Sequence, residues 1–297
     1  EYWSKFSILG RWRLMAILFQ GGIMKKVSLL MIALIITACG GKPSEPEAAA
    51  AVTAEEIEVV VEAAQETSSL PAMVEFVWHS KAEGFSDDAL WSHTEYWANV
   101  ATEAGWDLRL SAIHTPRVEN ENFDFLWVMV WPTVEARDNA WADWGENHEA
   151  AWLELTSETF TYSADNAYGF APTSGRPATT MNTTGTGIVE YIFCSYREGQ
   201  GEAQRMAFES MHGDFVDAYE AEMGASSYWW AIMNPLFEPA AENNFDYMWA
   251  NFFASDSERD AIYSAYGASE HSSQEQVDAS CADPASFDTR IIFTAGA

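Results

Sequence analysis

Two glutamates occupy the same place in two similar apolar stretches, Glu75 in Val74-Glu75-Phe76-Val77-Trp78 and Glu190 in Val189-Glu190-Tyr191-Ile192-Phe193. A carboxylate among apolar neighbours is disfavoured in its charged form, which raises its pKa and suits it to general-base work. The plainer role is an ion pair with an arginine such as Arg109 or Arg290, since structural ion pairs form in the same surroundings. His79 and His114 each end an apolar run where the corresponding places later in the chain hold Cys194 and Met233. That asymmetry suits one active and one degenerate site, and equally suits drift. His93 and His212 fall at equivalent positions of two helical segments, where a solvated or capping histidine is the usual case. Glu75, Glu190 and His79 are thus the candidates for catalysis, with Glu75 or His79 as the base. Trp127, Trp249 and His114 are the candidates for holding a ligand.

Other chemistry is excluded or left without residues. The sequence has no GxSxG, SxxK or P-loop, and no CxxC or HExxH, so neither a metal nor a cofactor is expected. Gly185-Thr186-Gly187 precedes a strand rather than following one and reads as a linker turn. The formal net charge is −30, and beyond residue 38 only Lys42 and Lys81 remain of the lysines. Such a surface repels phosphate backbones, which excludes nucleic acid as a partner. It also fits a saline setting, in which salt screens self-repulsion.

The elements that must position these residues begin after an export signal. Met24-Lys25-Lys26, an apolar run from Val27 to Ile36 and Thr37-Ala38-Cys39-Gly40 form a basic, apolar and small-residue sequence, too short to span a bilayer as a mature helix. Ile36-Thr37-Ala38-Cys39 resembles the bacterial lipobox, which implies cleavage before Cys39, lipidation of that cysteine, and a membrane partner through the lipid. Gly40 after it favours the outer membrane, facing the periplasm. Residues 1–23 are expected to be leader outside the true start, residues 24–38 the signal peptide, and 39–71, rich in Pro, Ala, Glu and Ser, an acidic tether with at most a short helix at Ile57, Val60, Val61 and Ala64. In an exported chain the remaining cysteines, Cys194 and Cys281, are either a disulfide or two buried thiols.

Beyond the tether the chain repeats. Val74–Trp78 matches Val189–Phe193 at an offset of 115; His93, Gly105 and Pro116 recur at 119 as His212, Gly224 and Pro235; Asn122-Phe123-Asp124, Trp127 and Arg137-Asp138 recur at 122 as Asn244-Phe245-Asp246, Trp249 and Arg259-Asp260. Offsets constant within segments and stepped between them indicate a duplication with small insertions. Periodicity predicts a strand at 74–79, a helix from Asp87 to Ala104 capped at Ser86-Asp87 and stopped by Gly105, strands at 108–115 and 123–131, a helix after Pro132, and weaker strands near 167–171 and 289–294. The order is βαββαβ, twice, in modules 72–180 and 185–297. Both faces of the strand Phe123 to Trp131 are apolar, which calls for a second sheet opposite.

That order resembles the ferredoxin-like modules of the dimeric α+β barrel superfamily, which includes monooxygenase-like, EthD-like and NIPSNAP-like proteins. The resemblance implies an α+β fold of two tandem βαββαβ modules packed as a pseudo-dimeric barrel, two four-stranded sheets face to face with helices outside. The chain would be a monomer with pseudo-twofold symmetry or a homodimer. Haem-degrading members pair a tryptophan at the end of the third strand with a histidine in the next helix. Here Trp131 is followed by Trp141, the second module offers Phe253 and Tyr263, and His148 lies too far along, so haem chemistry is not implied. The expectation is a lipid-anchored envelope protein that binds a small apolar or aromatic molecule in the barrel. The alternatives are a cofactor-independent monooxygenase or isomerase, and a structural or partner-binding lipoprotein.

Overall fold

The computed structural model describes residues 73–239, 244–274 and 279–296. The expected signal peptide, Cys39 and the tether lie outside the described residues. The strands of the first half are β1 (Met73–Lys81), β2 (Leu110–Pro116), β3 (Phe125–Trp131) and β4 (Phe160–Arg176). Those of the second are β5 (Thr186–Tyr196), β6 (Trp229–Pro235), β7 (Tyr247–Phe253), β8 (Ala279–Cys281) and β9 (Ala285–Thr294). Helix α1 (Asp87–Glu103) follows β1; α2 (Val134–Asp143) continues through a π-helical turn at Trp144–His148 into α3 (Glu149–Thr156); α4 (Glu202–Met223) and α5 (Asp256–Ala268) are the counterparts in the second half.

The caps explain where the helices start. Ser86 accepts from the Ala89 amide at the head of α1, Thr133 from the Ala136 amide at α2, and Ser255 from the Glu258 amide at α5. Each satisfies a donor that the first helical turn leaves open. Helix α1 ends at Gly105, whose φ of +67° is the left-handed conformation that glycine adopts without a Cβ penalty.

The expectation of two modules with a four-stranded sheet each, packed as a pseudo-dimer, is overturned by the strand order. Eight strands form one closed antiparallel barrel, β1-β3-β2-β9-β5-β7-β6-β4 and back to β1, with β8 added along β5. The physical reason lies in β4 and β9. β4 pairs with β1 from Phe160 to Phe170 and with β6 from Phe170 to Arg176, so one long strand serves both halves. β9 likewise pairs with β2 on one side and β5 on the other. Neither half owns a complete sheet, and closure leaves no unpaired edge among the eight strands.

Alternation then sorts side chains into three layers. Val74, Phe76 and Trp78 of β1, Leu126 and Val128 of β3, and Val189 and Tyr191 of β5 point into the barrel. Val77 of β1 and Phe125, Trp127, Met129 and Trp131 of β3 point outward under Leu90, Trp97 and Ala101 of α1. Ile188, Trp230, Trp249 and Phe253 form the corresponding outer layer of the second half beneath Phe215 and Val216 of α4. The doubly apolar strands are therefore explained by the barrel on one side and helices on the other.

Candidate functional site

The barrel interior is closed at its centre by aromatic contacts and opens at one end. Phe76 meets Phe170 and Tyr191 edge-on, at centroid distances of 5.4 and 5.3 Å. Beyond them a cavity of about 150 Å³ is walled by Trp78, Leu126, Tyr168, Phe193, Phe237, Phe245 and Met248, residues drawn from both halves. Ser195, Asn244 and Ser280 give it a polar mouth. An apolar cavity of roughly this volume stays dry and takes up a benzene-sized guest. The disulfide between Cys194 and Cys281 ties β8 to β5 beside this mouth, where Ser280, Cys281 and Ala282 line the cavity.

His114 also lies inside the barrel, on β2, and its Nδ1 stands 3.0 Å from the Tyr191 hydroxyl, which reaches it from the opposite half. Burial pulls the His114 pKa down to about 3 and pushes the Tyr191 phenol well above its usual value. At neutral pH the pair is therefore an uncharged hydrogen bond across the interior, the polar feature behind an aromatic wall.

The other candidates are turned away from the barrel. Glu75 is fully buried on the outer face of β1, where its oxygens take Arg137 Nε at 2.8 Å, Trp131 Nε1 at 3.1 Å and Trp141 Nε1 at 3.0 Å. Glu190, at the equivalent place on β5, accepts from the Tyr263 hydroxyl and from Ser286 Oγ at 2.8 Å, with Arg259 Nη1 at 3.8 Å. These carboxylates face helices rather than a shared interior, and their arginine partners are Arg137 and Arg259, not Arg109 or Arg290. Both oxygens of Glu75 are taken by an arginine and two indoles, which hold the side chain in place against α2.

His79 sits on the same outer face, stacked on Phe125 and Tyr162, with Nδ1 donating to the Val77 carbonyl at 3.0 Å. Burial lowers its pKa to about 4, so it is neutral at pH 7 and its Nε2 carries a lone pair. Trp127 and Trp249 occupy the two outer layers and wall no part of the barrel. His93 meets Thr159 Oγ1 at 3.1 Å, and His212 meets the Tyr228 hydroxyl at 2.8 Å. Phe237 and Tyr168 are cavity residues that sequence reasoning did not single out, whereas Phe245 is one that the repeat placed with Phe123, Trp127 and Trp249 as a wall. The NFD repeat was the available signal for Phe245, because Phe123 and Phe245 precede their strands and so escape the alternation that sends Trp127 and Trp249 outward.

No protein-family model matches the chain. No curated protein matches it either. Among solved structures it is similar to a candidate monooxygenase from Lactobacillus acidophilus, at 11% identity and a TM-score of 0.48, covering 77% of this chain and 98% of that one. It is also similar to a chlorite dismutase variant from Candidatus Nitrospira defluvii, at 6% identity and a TM-score of 0.45, covering 76% and 93%. A haem-binding protein from Thermus thermophilus matches at 14% identity and a TM-score of 0.43, covering 74% and 91%. Likenesses at this level carry no argument about chemistry.

Proposed function

We propose that the protein is a lipid-anchored protein of the cell envelope that binds a small apolar or aromatic molecule in the open end of its barrel. The observation that carries the binding role is the cavity of about 150 Å³ walled by aromatic side chains of both halves and rimmed by Ser195, Asn244 and Ser280. An apolar body would lie against Phe193, Phe245 and Trp78, and a polar end would remain at the rim, the arrangement common to small-molecule sites. The disulfide among the described residues is in keeping with an oxidising compartment, and the lipobox-like segment ending at Cys39 supplies the anchor.

Calorimetric titration with benzene and naphthalene tests the binding role. Saturable binding is expected, with a rise in melting temperature from linkage. Met248→Phe, which adds volume to the cavity wall, should weaken it. No saturable binding, or equal binding by Met248→Phe, would overturn the role. For the anchor, Cys39→Ser should abolish incorporation of labelled palmitate, and unchanged labelling would remove Cys39 as the lipidated residue.

A further inference from the structure

A second cavity, of about 50 Å³, lies outside the barrel between the first-half strands and their helices, and seven tryptophans line it. Five of them close a ring of edge-to-face contacts. Trp97 meets Trp106 and Trp127, Trp127 meets Trp152, Trp152 meets Trp144, and Trp144 returns to Trp106, with centroids 5.1 to 6.0 Å apart. The remaining two, Trp131 and Trp141, both donate to Glu75.

The second half of the repeat is an internal control for what packing alone requires. At the places of Trp97, Trp131, Trp141 and Trp144 it has Val216, Phe253, Tyr263 and Tyr266, and at the place of His79 it has Cys194. The sharpest difference concerns one hydrogen bond. Trp249, the counterpart of Trp127, donates its Nε1 to Asn251 Oδ1 at 2.8 Å. In the first half the place of Asn251 is taken by Met129, and the buried Trp127 Nε1 has no partner among the described residues. A buried donor left without an acceptor is costly. Trp230 Nε1 in the second half also has none among the described residues, and it is the place of Trp127 in the cavity wall that makes its free donor a pointer to a missing oxygen.

The electrostatics of the cavity favour a cation. Trp106 donates to Asp143 Oδ2 at 2.8 Å, and Trp144 donates to the Tyr162 hydroxyl, which in turn donates to Glu149 at 3.0 Å. With Glu75 behind Trp131 and Trp141, three carboxylates take up, directly or through Tyr162, the positive edges of four rings. Their negative faces are what remains to offer a cation, one face of Trp141 being already met by the Arg137 guanidinium at 5.4 Å from the ring centroid. His79 contributes no competing charge at pH 7. The neighbouring Arg137 is engaged by Glu75 and Asp138, and His148 Nε2 stands 3.3 Å from Asp143 Oδ2.

We propose that this tryptophan cage binds a methylated ammonium group carried by a molecule that also bears an oxygen acceptor, the cation against the indole faces and the oxygen on Trp127 Nε1. Indole is the strongest aromatic partner for such cations. The cavity is on the order of two water volumes, so the partly exposed Trp106 and Trp141 are the rings that part to admit the head group. The same chemistry is found in free betaines and in choline lipid head groups, and the test separates them.

Tryptophan emission is followed on titration with glycine betaine, with choline, and with the neutral analogue of choline in which a tert-butyl group replaces trimethylammonium. Saturable quenching by at least one of the two cations is expected, with the neutral analogue at least about tenfold weaker. Met129→Asn, which restores the acceptor found in the second half, should weaken binding about tenfold by satisfying Trp127 internally. Met248→Phe should leave cage binding unchanged, so failure of the barrel site and failure of the cage are read separately. Choline-displaceable sedimentation with phosphatidylcholine vesicles assigns the ligand to lipid, and quenching by free solute without it assigns a soluble betaine. Equal binding of the neutral analogue, absence of saturable quenching, or indifference to Met129→Asn would overturn the proposal.

Discussion

Arg137 reaches from α2 to place Nε and Nη2 on one oxygen of the fully buried Glu75, at 2.8 and 2.5 Å. Its repeat counterpart Arg259 stands 3.8 Å from Glu190. Each half of the barrel therefore fastens a helix to the outer face of its first strand through a carboxylate and an arginine. In the first half the fastening is completed by the indoles of Trp131 and Trp141, in the second by Tyr263 and Ser286.

Breaking the first of these ties should cost most when a charge is stranded. Arg137→Ala leaves a carboxylate buried with only indole donors, for which a loss of about 3–5 kcal/mol is the usual scale. Glu75→Gln keeps the shape and leaves a partly exposed arginine that water can reach and that still pairs with Asp138, so a smaller loss is expected. In urea unfolding the double variant should lose less than the sum of the singles, since the two groups interact directly. Additive losses would show that Arg137 and Glu75 act independently.

How much of this was legible in the sequence depends on which signal each residue carried. The bounds of α1 were legible, because Ser86 caps it and Gly105 ends it where the spacing says, whereas the caps Thr133 and Ser255 were not read and α2 begins at Val134 rather than at Pro132. The NFD repeat also has a readable role in retrospect: Asp124 accepts from the Lys81 amide at 2.7 Å and Asp246 from the Tyr196 amide at 2.6 Å, each closing the end of the neighbouring strand. Which face of β1 and β3 turns into the barrel was not legible, since both faces are apolar and alternation alone does not name the inside. The single closed barrel was hidden for a different reason. Most of β4, with Ser163, Asp165, Asn166, Gly169 and Pro172, lacks the look of a strand that bridges two halves. The pairing of Glu75 with Arg137 has a trace in the sequence, because both members recur in the second half as Glu190 and Arg259 while Arg109 has no such counterpart.

The disulfide closes a loop of 87 residues and anchors the short strand β8 beside the barrel mouth. Replacing Cys194 and Cys281 together by alanine should lower stability by about 2–4 kcal/mol, seen as a fall in melting temperature of about 5–15 °C for a domain of this size. Because Ser280, Cys281 and Ala282 line the cavity, binding of benzene and naphthalene should weaken in the same variant. Retained stability with lost binding would separate the two effects.

Three buried histidines set the response to mild acid. Burial lowers His79 and His212 to about 4 and His114 to about 3, against 6.5 for the exposed side chain. Above pH 6.5 neither the folded nor the unfolded chain protonates them, and they add nothing to the pH dependence. Below it the unfolded chain binds protons that the folded chain refuses, so stability falls as pH falls toward the folded values. Each histidine contributes at most about 1.4 kcal/mol per pH unit across that window. Urea unfolding at about pH 7 and about pH 5 should show the decline, and His79→Phe should make it shallower by one proton's share. A flat profile between those pH values would contradict the buried neutral assignment.

Salt should act in the opposite direction from the one that surface ion pairs suggest. Arg117 on the first half bridges Asp256 at 2.6 Å and Asp288 at 2.5 Å on the second, and screening weakens such partly exposed contacts, which are worth about 0–1 kcal/mol each. Against that stands a chain with 45 acidic and 15 basic residues, whose self-repulsion is relieved as the screening length falls from about 10 Å at 0.1 M to about 3 Å at 1 M. The many repulsive pairs outweigh the few attractive ones, so melting temperature should rise from dilute buffer to molar sodium chloride. Arg117→Ala tests the balance: it removes the pair that salt weakens and adds one to the net negative charge, so the rise should become steeper. A melting temperature that is unchanged or lower in salt would mean that the acidic surface is not what limits stability.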